Sequence, residues 1–134
     1  MIDHFDWHRF LYGDIKRPVT LCRLSKDLVR VLGATDDRIY LHPSYAPKFV
    51  VKHFLTANQL ELLPTCIEKG IVLQDRVGTL QFLFRDEAYS GDIFHVAIKV
   101  TGERHEIWVT TFFRIAETEL RRRLKRGKFI RLQK

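Results

Sequence analysis

The order of patterns along the chain predicts an α+β domain. N-terminal helices pack on a C-terminal antiparallel β-sheet, and a basic helix closes the chain. Three observations predict it. Helix start and stop signals cluster before Gly70, β-type segments follow from Ile71, and a dense basic run ends the sequence. At 134 residues the chain has the length of one domain, 1–134, and enough residues to bury a real core.

The segment "LSKDLVRVLGA" reads as a short helix, with Ser25 suited to the N-cap and Gly33 to the position after the last turn. "RIYLH" follows as a strand of β-branched and aromatic residues. "SYAPKFVVKHFL" is helical: Pro47 is tolerated in the first turn, and Phe49, Val50, His53 and Phe54 share one face. "TANQLELLPTCIEKG" is a further helical segment. Thr56 and Gln59 fit a capping box, Pro64 should break or kink the middle, and Gly70 ends it. "GTLQFLFR", "IFHVAIKVT" and "HEIWVTTFFRI" are three candidate strands, the last two joined by the turn "TGER". "ETELRRRLKRG" closes the chain as a helix with Leu120 and Leu124 on one side and Gly127 as its stop.

A two-residue turn at Gly102–Glu103 would pair Ile98 with Ile107 and Val96 with Val109, so that the apolar faces of the hairpin coincide. His95, Lys99, Thr110 and Arg114 then share the other face with Trp108 and Phe112 between them, and Glu106 falls opposite Lys99. Cations that can hold phosphate, next to rings on which bases can stack, are the components of an RNA-binding face. The structural alternative is a second packing face covered by helices, with Lys99 paired to Glu106.

Charge points the same way. From Lys99 onward there are 11 Lys/Arg and 4 Asp/Glu, a net of +7, whereas the first 98 residues carry 12 of each. The excess is densest at Arg121, Arg122, Arg123, Lys125 and Arg126, within a C-terminal helix or tail spanning 116–134. A localised basic surface attracts phosphate backbones by steering and counterion release; a solvated tail is the plainer reading. No apolar run approaches the roughly 18–20 residues needed to cross a membrane, and "MIDHFDWHRF" is too polar and acidic for a signal peptide. Cys22 and Cys66 lie outside any CxxC pattern and read as reduced core residues, which fits a cytoplasmic location. His4 and His8 have metal-compatible spacing near Asp3 and Asp6 but no third-ligand motif. There is no phosphate-binding glycine loop or serine-nucleophile elbow.

Between Arg38 and Ile115, "RIYLHPSYAPKFVVKHF", "LELLPTCIEKG", "FHVAIKV" and "WVTTFFRI" together resemble the phage-associated branch of the barnase–EndoU–colicin–RelE-like nuclease superfamily. The carrying features are Lys52-His53, Lys99 and Thr111-Phe112-Phe113-Arg114, in that order; residues 1–37 lie outside the match. Where the family usually has serine after "IYL", this chain has His42, with Ser44 two residues on. The resemblance implies a RelE-like α+β fold and metal-independent cleavage of RNA across the sheet face, with no cofactor. It assigns His53 to general acid/base work, and Lys99 and Arg114 to the phosphate, with Thr111 as a positioning donor. Strict alternation instead places Thr110 beside Arg114, and a β-bulge near Thr111 would reconcile the two.

Cleavage without a metal uses the 2′-hydroxyl as internal nucleophile. It needs a proton acceptor, a proton donor and cations on the non-bridging oxygens; histidine suits the first two roles and Arg or Lys the third. His95 is a second acid/base candidate from the hairpin register, and Lys52 would bind RNA at the rim. Apart from the resemblance, His53 on an apolar helix face reads as a hydrogen-bonded core residue, and Arg114 could cap the sheet against Glu117 or Glu119. The expected class is therefore an endoribonuclease, free-standing, phage-associated or a toxin delivered into a target cell, with RNA as substrate. Its protein partner would be an immunity or antitoxin protein with an acidic surface. A non-catalytic RNA-binding or phage structural module on the same fold is the alternative.

Overall fold

The computed structural model describes residues 1–88, 90–125 and 130–132. The helices are α1 (His4–Leu11), α2 (Lys26–Leu32), α3 (Tyr45–His53), α4 (Ala57–Leu60), α5 (Leu63–Lys69) and α6 (Glu117–Lys125). The strands are β1 (Val19–Arg23), β2 (Arg38–Leu41), β3 (Ile71–Gln74), β4 (Thr79–Arg85), β5 (Ile93–Thr101), β6 (Glu106–Ile115) and β7 (Ile130–Leu132). Among the described residues these strands form one sheet in the order β1-β2-β6-β5-β4-β3-β7.

The α+β class stands, but the sheet is mixed rather than antiparallel. β2 lies parallel to β6, pairing Ile39 with Ile107 and Tyr40 with Trp108. Parallel neighbours need a long connection, and here everything between Leu41 and Glu106 supplies it. Strands β1 and β2 also extend the sheet into the N-terminal part of the chain, so it is not confined to the C-terminal half.

Local signals produced most elements. Ser25 accepts from the Leu28 N–H at the start of α2, and Gly33 ends that helix in the left-handed region at φ 75°. Thr56 and Gln59 form the expected reciprocal capping box. Pro64 divides the segment into two helices, because it sits in the first turn of α5, where its missing N–H costs nothing. Gly70 is required by space: a Cβ there would meet the Cys66 carbonyl oxygen at 2.5 Å and that of Leu83 at 3.0 Å. One expected face is wrong. Phe54 does not continue α3 but ends it in the left-handed region and is 76% exposed, and Val50 is 43% exposed.

Helices α1 to α5 all contribute buried residues to one core, including Trp7, Leu28, Phe49, Leu60 and Leu63. The sheet meets them with Phe82, Phe94, Val96, Ile98, Ile107, Val109 and Phe112, each fully enclosed. Helix α6 buries none of its residues in that core.

The hairpin register differs from expectation in two steps. The loop is longer than two residues: Thr101 pairs with Glu106, and Gly102 and His105 both adopt positive φ. This moves Ile98 from Ile107 to Val109, a shift of two positions, and an even shift leaves every side chain on its face. The second step is a one-residue irregularity. Ile98 pairs with Val109 but Ala97 pairs with Thr111, so Thr110 is the extra residue of a β-bulge. An odd insertion swaps faces, and every residue of β6 after Thr110 lies opposite to where strict alternation puts it.

Candidate nucleic-acid interface

On the face turned away from the core, β5 carries His95, Ala97 and Lys99, and β6 opposes them with Phe113, Thr111 and Trp108. β2 brings Tyr40 beside Trp108, and β4 adds Gln81 and Leu83. Trp108 and Lys99 thus share a face as expected, but Lys99 stands directly opposite Trp108 while Glu106 opposes Thr101. The bulge resolves the threonine question in register: Thr111 opposes Ala97, and the Thr110 hydroxyl donates to the Ala97 carbonyl at 3.3 Å. Phe112 is not a stacking residue. It is fully buried, edge-on to Phe49 and against Phe94, and Phe113 takes its place on the outer face.

The Phe113 end of this face is enclosed. His95 is 6% exposed, its ring 4.7 Å from that of Phe113 and its Nε2 3.2 Å from Gln81 Oε1. Its Nδ1 is buried without a hydrogen-bond partner among the described residues. Burial, helped by the nearby Arg123 charge and opposed by Glu119, pushes its pKa down to about 3. It is therefore neutral near pH 7 and cannot donate a proton as an imidazolium, which removes half of the role expected of it. The Arg123 guanidinium lies 5.9 Å from the Phe113 ring centroid and donates to Glu119 at 2.8 Å. Glu117 accepts from Arg85 at 2.5 Å, tying the start of α6 to the end of β4.

His53 reaches the same ring from α3. The β2–β6 pairing ends at Trp108, so the farther half of β6 presents an edge that β2 does not cover. Helix α3 packs against β6 there, with Phe49 on Phe112. Its last residue, His53, is half-buried with its ring 5.3 Å from that of Phe113. Lys52 is exposed beside it, and both sit at the helix C-terminus, where the backbone dipole favours positive charge. At the head of α3, Ser44 makes no cap bond; its hydroxyl is 2.9 Å from His42 Nδ1.

Arg114 falls opposite Phe94, on the core side of the register and not beside His95 and Lys99. At the strand end it escapes burial, reaching Asp92 at 3.8 Å. The Gln59 amide donates to the same Asp92 carboxylate at 3.2 Å. Neither Glu117 nor Glu119 is its partner; Arg85 and Arg123 take those carboxylates. Lys99 and Arg114 are five rungs apart along the ladder, about 16 Å at the usual rise per residue.

Of the basic residues expected to grip RNA, Arg121, Arg122 and Lys125 are exposed on α6 and lie around a shallow hollow with Thr118. Arg122 is also held by Glu119, and Arg121 is 3.8 Å from Glu117. Arg126 and Gly127 lie outside the described residues. His4 and His8 meet edge to face on α1, with His8 facing Glu61 at 2.8 Å. No group of three His, Cys, Asp or Glu able to hold a metal occurs among the described residues, and none of their helices is long and apolar enough to cross a membrane.

Sequence reasoning missed Tyr40, Phe113 and Gln81. Tyr40 was legible as the outward residue of "RIYLH", but its pairing with Trp108 was not. No family profile, curated protein or solved structure matches the chain.

Proposed function

We propose that the protein is a metal-independent ribonuclease of the barnase–EndoU–colicin–RelE-like kind, working at the corner where α3 meets β6. One observation carries this reading. The half-exposed His53 ring rests on Phe113, with Lys52 and Arg114 on adjoining residues of the two elements and Arg123 over the same ring. In the proposed step the 2′-oxygen attacks the adjacent phosphorus as the bond to the 5′-oxygen breaks. His53 takes the 2′-hydroxyl proton, and the leaving oxygen takes one from water. Lys52 and Arg114 offset the charge on the non-bridging oxygens, the larger catalytic contribution in reactions of this type. Lys99, Thr111 and Trp108 then contact the strand away from the scissile bond.

The test is total RNA incubated with purified protein in the presence of EDTA. Cleavage should persist, and His53→Ala should slow it by about 10²–10⁴-fold, the usual worth of a proton-transfer group, with thermal unfolding unchanged. Intact tRNA, rRNA and mRNA after incubation with folded wild type would rule the enzyme out.

A second reading, a non-catalytic RNA-binding module, is favoured by the distance between Lys99 and Arg114 and by the enclosure of His95. It expects salt-dependent RNA binding with no cleavage and no growth defect on overexpression.

A further inference from the structure

We infer that Tyr40 and Trp108 form a stacking platform for the bases of unpaired RNA, with Lys99 as its phosphate contact. The inference rests on RNA being the ligand, and it names the form of RNA and a subsite apart from the His53 corner.

The platform is made by the short parallel pairing of β2 with β6. Ile39 and Ile107, one rung away, are fully buried, so alternation turns Tyr40 and Trp108 to the outer face together. Their ring centroids are 5.3 Å apart with planes inclined by 37°, and each residue is half-buried. Among the described residues, the contacts that α6 makes with Arg85, Phe113 and the surroundings of His95 lie at the other end of β5 and β6. An aromatic pair on a face where the helices pack elsewhere has ring surface to offer.

The charges around it select the occupant. The Arg38 guanidinium lies 5.7 Å from the Tyr40 ring centroid, so the platform is extended by a cation. Arg38 is itself engaged by Asp36 at 2.5 Å, which leaves Lys99 to meet phosphate. Lys99 is exposed, stands directly across from Trp108, and has no carboxylate within ion-pair distance among the described residues. It also opens the part of the chain that holds the entire +7 excess. Aromatic rings beside a cation bind single strands, whose bases can leave the stack; a duplex keeps its bases inside and offers only phosphate and ribose. The platform lies about 13 Å along the ladder from the rung of His95 and Phe113, so it is a subsite separate from that enclosed end.

The two tryptophans make this directly measurable. Trp7 is buried in α1 with no partner for its Nε1 among the described residues, so Trp7→Phe leaves Trp108 as the sole reporter. Titration with a short uridine-rich 2′-O-methyl oligonucleotide, which cannot be cleaved, should quench Trp108 emission in a saturable way. Tyr40→Ala should weaken binding about ten-fold, the usual loss when one stacking ring is removed. If Trp7→Phe fails to fold, anisotropy of the labelled oligonucleotide on the otherwise natural chain, with and without Tyr40→Ala and Lys99→Ala, measures the same loss. The platform is overturned by absent quenching, by equal quenching with a duplex of the same charge, or by single-stranded DNA binding more tightly than RNA. Cleavage of unmodified RNA without quenching would remove the platform and leave the ribonuclease reading. Quenching without cleavage would do the reverse.

Discussion

The two ends of the β5–β6 hairpin carry similar chemistry on the same face and meet different fates. Near the loop, Trp108 faces Lys99 and the lysine is in solvent; beyond the bulge, Phe113 faces His95 and the histidine is enclosed. Both ends pair an aromatic with a basic or titratable residue. What separates them is what occupies the free edge of β6. Near the loop β2 fills that edge and delivers a second ring. Farther on β2 has ended, so α3 takes the edge and delivers His53, while α6 turns back over the face with Arg123. A strand neighbour leaves a sheet face open, whereas helices arriving at the edge and over the top close it.

The sharpest way to break this comparison is at the bulge. Phe112→Ala should cost about 3–5 kcal/mol, the usual loss for a fully enclosed Phe, whereas Phe113→Ala should cost less, about 1–2 kcal/mol, because part of its surface stays wet. Urea unfolding of the two variants measures both, and reversed costs would mean that β6 alternates without interruption.

A smaller effect distinguishes the enclosed end through pH. His95 has its pKa pushed from 6.5 down to about 3, so between those values the unfolded chain binds a proton that the folded chain refuses. This contribution is fully present above pH 6.5 and is lost as pH falls toward 3. Between pH 7 and pH 5 the loss is about 2 kcal/mol. His95→Gln should flatten that part of the pH dependence of stability. A slope unchanged by the substitution would show that His95 is not the enclosed titrating group.

The smallest effect concerns α6. The Arg85–Glu117 pair is short but more than a third exposed on both sides, so water screens it. Arg85→Ala should lower stability by no more than about 1 kcal/mol while raising hydrogen exchange within α6. A larger loss would make α6 part of the core structure and not an attached cover.

Much of the fold was written in local chemistry. Ser25 and Gly33 bracket α2, Thr56 and Gln59 cap α4, Pro64 divides the next segment, and β4, β5 and β6 lie where their β-type segments ran. Each of these is decided by neighbours within a few residues, because caps, proline and side-chain period act over one turn or one pleat. That Trp108 and Lys99 share one face was legible for the same reason: they lie before the bulge, where an error of two in loop length preserves the faces but changes the partner. Beyond Thr110 nothing local betrays the extra residue. The swap of Phe112 for Phe113 and the departure of Arg114 toward Asp92 follow from which residues the core accepts. Helix α1 was not legible as a helix, although Asp3 caps it by accepting from the Phe5 and Asp6 N–H groups.

By itself the sequence determined the caps of α2 and α4, the three central strands and the C-terminal placement of the excess charge. Only the tertiary structure decided which histidine stays accessible, which phenylalanine faces out, and that Tyr40 lies beside Trp108. Those outcomes depend on contacts between residues far apart in the chain, where loop closure and competition for a single core select one register among several that local pattern permits.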